Sequence, residues 1–453
     1  MMRATRLGRG WRWLFLGTLA GPLWGQLPAP APQPEIEFRV LLIIKRATDS
    51  YSPHFLPVCA QMSDGEVAKA RRCFEVETPD MVREITRGRV RFAPTVRVSE
   101  RPLRVFNPDR KDSAEFYAPE LLNELASFAK PGEFDSAGYY FLHYDTATGY
   151  KIPRAGFGVG WYDKKHALGL FAVNCTPTLN PRDEVFLHEW MHGLDGFYGQ
   201  KAGVMLPKGW LHGPKEHGYQ EKPWRAADTF RGWMTWYRDY LNGEVCEGEK
   251  RVGLGAAAWR HGPMRLAATA ARFQEEALPV GAYPGWVHAL MRGDLSQARL
   301  GPPLLAPPPA GPVAPDSEGW RLDVWSAKAH SVAAAEADGS FRLESPSPNH
   351  AALVRALALE PCRNYLLTAD VRAEGVVITE KGGTFGVNLQ AGDSASPERL
   401  VGTTEWTPVA LPFTTGAKPG PSRIRLALGG YASVARGRAL FRNVQVRAIA
   451  YPE

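Results

Sequence analysis

A chain of 453 residues, 44% apolar and 22% charged, has the make-up of globular protein with length for two or three cores, which excludes a fibre or a largely disordered chain. The formal net charge of +7 owes much to Arg3, Arg6, Arg9 and Arg12, without which it falls to about +3. No dense Lys/Arg patch interleaved with aromatics occurs, so a nucleic-acid partner is not expected.

Those four arginines precede Trp13-Leu14-Phe15-Leu16-Gly17-Thr18-Leu19-Ala20, a positive segment followed by a short apolar one, as in a secretory signal peptide. The apolar run is well short of the roughly 20 residues that span a bilayer, and Pro22 interrupts it. We expect residues 1–25 to be removed, which places the protein in the secreted, periplasmic or cell-surface class with no stable membrane span. Residues 26–35, Pro-rich from Leu27 to Pro34, read as a stiff spacer. Five cysteines are too few for a disulfide scaffold; Cys59 and Cys73 form the nearest pair, and the alternative is that all are small buried hydrophobes.

Phe38-Arg39-Val40-Leu41-Leu42-Ile43-Ile44, Tyr139-Tyr140-Phe141-Leu142 and Leu168-Gly169-Leu170-Phe171-Ala172-Val173 are apolar, β-rich runs that predict buried strands. A helix is expected between them, over 118–128. Strands and helices thus mix in a first domain over 36–300.

Within it, the segment from Asp183 to Gly199 predicts a helix with Asp183 as N-cap and a glycine C-cap. At about 100° per residue, Phe186, Trp190, Leu194 and Phe197 line one face while His188, His192 and Asp195 line the other. Two imidazoles one turn apart can direct a nitrogen each at one Zn²⁺, leaving positions for a third ligand and a water. Glu189, beside the first of them, can take that water's proton and pass it to a leaving group.

His188-Glu189-Trp190-Met191-His192 resembles the HExxH motif of the zincin metallopeptidases. The resemblance implies an active-site cleft over the motif helix, with an edge strand at its rim. Asp195 and Tyr198 depart from the longer metzincin pattern, and the acidic Asp195 is closer to gluzincin-like members, which implies that it orients a ligand histidine. The third ligand is sought in Leu211-His212-Gly213-Pro214-Lys215-Glu216-His217-Gly218-Tyr219-Gln220-Glu221. The gluzincin resemblance favours Glu216 or Glu221. We assign His212, because His-Gly-Pro forms a loop able to aim an imidazole into a cleft. In addition, Leu211-His212, Gly218-Tyr219 and Trp236-Tyr237-Arg238-Asp239 are similar in spacing to segments of HEWLH-bearing secreted proteins of unknown function. A bystander surface histidine is the plain alternative for His212, and Asp239 is a further candidate ligand. Tyr219, or His217, is the candidate donor to a developing oxyanion; packing is the alternative for Tyr219. Phe230, Trp233, Met234, Tyr237 and Leu241 recur at helical spacing behind Asp228 and predict a core helix over the site.

Pro-dense residues 301–317 read as a linker. Short alternating runs between Gly/Pro/Ser turns then predict an all-β sandwich over 318–453. Three segments, 363–371, 400–409 and 439–446, resemble galactose-binding-like jelly rolls used as carbohydrate-binding modules. That family carries an acidic residue where Arg442 stands, which speaks against its calcium site here. Trp320, Trp325, Tyr365, Trp406 and Tyr431 are the aromatics to weigh for sugar stacking against burial in the core.

The sequence therefore predicts an α+β zincin-like N-terminal domain plus an all-β jelly-roll sandwich. The expected function is an exported zinc metallopeptidase in which Glu189 activates water, acting on a protein or peptide and tethered to a glycan or cell-wall polymer. The alternative is a non-catalytic glycan-binding or adhesion protein with a degenerate metal domain.

Overall fold

The computed structural model describes residues 34–450 except 111–116, 154–157, 176–183, 220–229, 266–272, 274–275, 307, 317–318, 380–384, 418–420 and 431–432. The expected leader, Asp183, Glu221, Asp228 and Tyr431 lie outside the described residues.

The first sheet is built from β1 (Ile36–Lys45), β2 (Val90–Ser99), β3 (Ser136–Leu142), β4 (Gly158–Asp163) and β5 (Leu168–Cys175), in the order β2-β1-β3-β5-β4. All neighbours are parallel except β4, which closes one edge antiparallel to β5. β1 pairs on both sides and its last six residues are buried, which is why its sequence is a continuous apolar run rather than an alternating one. Helices α1 (Asp64–Arg72), α2 (Thr78–Ile85) and α3 (Ala118–Phe128) precede the helix that matters most, α4 (Val185–Leu194). Adjacent strand residues point to opposite faces. The ring of Tyr140 accordingly meets Phe186 of α4 at 5.7 Å, and the hydroxyl of Tyr139 donates to the Glu120 carbonyl of α3 at 2.9 Å. α3 and α4 therefore cover the two sides of the sheet.

Beyond this lies a β-sandwich of two antiparallel sheets. One contains β6 (Leu300–Pro303), β7 (Gly311–Pro312), β9 (Val332–Ala335), β10 (Phe341–Asn349), β12 (Asn364–Ile378), β15 (Thr407–Thr414) and β17 (Ala435–Ile449), ordered β7-β9-β10-β17-β12-β15 with β6 on β17. The other contains β8 (Trp320–Val324), β11 (Ala351–Leu357), β13 (Val387–Ala391), β14 (Ser394–Ala395) and β16 (Ser422–Leu428), ordered β8-β11-β16-β13-β14. Leu343, Leu353, Leu367, Val371, Leu411, Leu426 and Phe441 fill the space between them.

The Pro-dense stretch expected to be a linker is part of this sandwich. Leu300 pairs with Ile449, and Gly311 and Pro312 pair with Ala335 and Ala334. Proline is tolerated there because these are marginal strands that need few ladder donors. The two units also touch directly: the Tyr150 hydroxyl lies 2.8 Å from Thr414 Oγ1, and the Lys151 amide donates to Ser394 Oγ at 2.9 Å. Gly149, at φ +71°, lies against Ala395, where an added Cβ would come within 2.0 Å of the carbonyl oxygen. Leu366 and Ile449 of the sandwich belong to the first domain's core.

Candidate functional site

α4 has two faces. Trp190 packs edge-on against Phe38 (5.4 Å) and Phe92 (5.1 Å), and Phe186 against Phe74 (5.3 Å), so the aromatic stripe is the sheet-facing side. The helix starts at Val185 with Glu184 at the cap position and no side-chain cap bond. It does not stop at a glycine but runs on through a wider helical turn over Asp195–Lys201. The glycines here serve close approach instead of termination: a Cβ on Gly196 would lie 2.7 Å from Tyr162 Cβ, and one on Gly199 2.4 Å from Leu206.

The opposite face carries His188 and His192, and the chain returns His212 beside them from the turn Trp210–His212. Candidate ligand atoms of the three imidazoles lie within 4.8 Å of one another, with ring centroids 4.9–5.0 Å apart. His188 is buried, His192 half-buried and His212 exposed, so the cluster opens on one side. The structure thus brings the three sequence-chosen histidines together. His188 Nδ1 lies 2.8 Å from the Tyr237 hydroxyl of α5 (Phe230–Asn242), which fixes the ring's rotation and commits Nδ1 to that hydroxyl. Burial and the neighbouring imidazoles push His188 well below the ordinary histidine value and His192 down to about 4. Both rings are therefore held neutral, the form that ligates metals.

Glu189 lies at the same opening. Its Oε2 is 3.9 Å from His192 Nε2 and is a buried atom with no hydrogen-bond partner. Burial alone raises its carboxyl to about 8. Edge strand β4 makes room for it: a Cβ on Gly158 would fall 2.5 Å from Glu189 Cγ, and one on Gly160 would fall 2.2 Å from the Glu189 carbonyl oxygen. An orphaned buried carboxyl oxygen beside three converging imidazoles is a donor set that fits a divalent cation and a water. Gly160→Ala should accordingly lower stability by about 1–3 kcal/mol, because the helix backbone must retreat from β4. Chemical denaturation measures this, and an unchanged midpoint would mean that the helix adjusts freely.

Other sequence-chosen residues lie elsewhere or act differently. Tyr219, expected to donate to an oxyanion, donates to Asp239 Oδ2 at 2.6 Å and packs on Trp236. Asp239 also pairs with Arg238 at 2.8 Å, which commits its carboxylate away from the imidazoles. His217 stacks on Trp236 and lies 3.0 Å from the Lys208 carbonyl. Glu216 is exposed and pairs with Lys208 at 3.3 Å. Asp195 does not bond a ligand ring; it accepts from the Tyr240 hydroxyl and from the Leu211 amide. Sequence reasoning missed Gly158, Gly160 and the hydroxyl role of Tyr237. The readable signal for Tyr237 was a tyrosine placed mid-stripe on a core helix, since a buried phenol needs a polar partner.

No protein-family model matches the chain, and no curated protein does. Among solved structures, one described as "CBM4 structure and function" matches at 12% identity over 30% of this chain and 94% of that one, with a TM-score of 0.20. The second N-terminal cellulose-binding domain of Cellulomonas fimi β-1,4-glucanase C matches at 18% over 33% and 100%, TM-score 0.19. A CBM61 module solved with β-1,4-galactotriose matches at 12% over 28% and 88%, TM-score 0.20. Likeness at this level speaks to neither ligand nor activity.

Of the sandwich aromatics, Trp320 and Tyr365 are core residues, whereas Trp325 is 83% exposed. Trp406 lies under the Arg442 guanidinium, 4.3 Å from ring centre, and Arg442 pairs with Asp370 at 3.2 Å. The arginine at this position thus neutralises a neighbouring carboxylate. Among the described residues Cys59 and Cys73 are not joined to each other, so, of the two readings of the cysteines, that pair does not form. Cys73 is buried in the core, and Cys59 faces Asp49 and His288.

Proposed function

We propose that the chain is an exported zinc-dependent hydrolase of the zincin type, with peptide bonds as its substrate class. The convergence of His188, His192 and His212 beside the buried Glu189 Oε2, which has no hydrogen-bond partner, carries this reading. Three imidazoles are a donor set suited to zinc with a position left open. Zinc, when bound, supplies Lewis acidity that polarises a carbonyl and lowers the pKa of water. Glu189 accepts the proton of the attacking water and delivers it to the leaving amine. The aromatic packing of Trp190 and Phe186 holds the helix, and Tyr237 holds His188 in one rotation. With Tyr219 committed to Asp239, no protein donor is assigned to the oxyanion.

Purified mature protein should carry about one zinc per chain. Chelation should abolish cleavage of a peptide library, and added zinc should restore it. A metal-free preparation that cleaves at the same rate would defeat the proposal.

The comparisons lend peptidase activity no support; glycan binding without catalysis is the second reading. Its specific observation is the solvent-facing ring of Trp325 on the sandwich, a surface on which a sugar ring can stack. Retention on immobilised polysaccharide, lost in Trp325→Ala and unaccompanied by any hydrolysis, would favour it.

A further inference from the structure

His212 is exposed and sits in a three-residue turn between glycines, a location that would leave an imidazole loose if nothing held its backbone. The residue before it is held on three sides. The Leu211 amide donates to Asp195 Oδ2 at 3.3 Å, and the Trp236 indole N–H donates to the Leu211 carbonyl at 2.8 Å. The Leu211 side chain is fully buried. Asp195, itself buried, takes the Tyr240 hydroxyl on its other oxygen. Asp195 continues the helix that carries His188 and His192, while Trp236 and Tyr240 belong to the helix that carries Tyr237, the partner of His188. Both backbone groups of one residue are thus tied to the two elements that position the other two imidazoles.

We infer that Asp195, Trp236 and Tyr240 are positioning residues that clamp Leu211 and so set His212 as the third ligand; this rests on the metal-site reading. The clamp acts through the peptide backbone, so it needs an acceptor at Asp195 and a donor at Trp236, not a charge. Asp195→Asn keeps an oxygen for the Leu211 amide and an amide to face Tyr240. Asp195→Leu keeps the volume and loses both.

Zinc affinity by competitive titration, and the visible spectrum after cobalt(II) substitution, test this in the full mature chain. Loss of an orienting partner typically costs ten- to a hundredfold in metal affinity. Asp195→Leu and Trp236→Phe should each lose about that much, with the cobalt spectrum shifting toward that of His212→Ala. Asp195→Asn should bind within a few-fold of wild type. Tyr198→Phe, which removes a buried hydroxyl bond to the Gly262 carbonyl and touches no part of the clamp, should lower stability and leave affinity and spectrum unchanged. If wild type binds zinc and His212→Ala weakens it while Asp195→Leu and Trp236→Phe bind as wild type, the clamp is refuted alone. If wild type binds no zinc, the metal-site reading falls and takes the clamp with it.

Discussion

Glu189→Gln should keep zinc bound and lower the hydrolysis rate by about 10²–10⁴-fold, the range that a positioned general base contributes. Zinc is retained because the three imidazoles, not Glu189, form the cluster. The fold is retained because glutamine has the same shape in a slot that Gly158 and Gly160 leave with no spare room. Only the ability to take a proton is lost. A second readout separates this from a general disturbance. Burial raises the Glu189 carboxyl from an ordinary 4.5 to about 8 in the metal-free protein. In that window the folded state holds a proton that the unfolded state has released, so Glu189's contribution to stability falls as pH rises from about 4.5 to 8. The metal-free glutamine variant should show a flatter stability profile there. Full activity in the variant, or loss of its zinc, would overturn the role given to Glu189.

The motif helix was legible because its two faces differ in kind: aromatic every third or fourth residue on one, imidazole and carboxyl on the other. The structure puts Trp190 and Phe186 on the sheet, as that pattern requires. What the sequence could not give was the helix's close approach to β4. Gly158 and Gly160 read as ordinary strand glycines until their missing side chains are found opposite Glu189. Asp195 was expected to act on a histidine ring and acts on the Leu211 amide instead. Spacing along one helix says which side a carboxylate points to, but not which returning loop will meet it. The linker misread has a similar cause: proline density excludes interior strands but not the short marginal ones that Leu300–Pro303 and Gly311–Pro312 form. At Tyr219 the polar cluster around it suggested chemistry, whereas a single acidic neighbour on α5, twenty residues later in the chain, claims its hydroxyl.

Removing one imidazole should release the metal. A four-ligand structural zinc site is worth about 10–16 kcal/mol, so each ligand accounts for about 3–4 kcal/mol, or roughly two to three orders of magnitude in affinity. His192→Ala and His212→Ala should each weaken zinc binding by about that factor, and chain folding should survive His212→Ala best because that ring is exposed. The pH dependence then reports how the remaining site is built. Protons compete with zinc only where a ligand nitrogen is basic enough to hold them. Burial and the adjacent rings hold His192 down to about 4 and His188 well below its ordinary value, so neither needs to lose a proton at mildly acid pH. Three ordinary histidines below their pKa would cost about a thousandfold in affinity per pH unit; this site should lose no more than about tenfold per unit between pH 6.5 and 5. Zinc titrations across that range measure the slope. A steep, three-proton decline would show that the imidazoles are solvated and independent, and that the convergence seen around His188 is not maintained in solution.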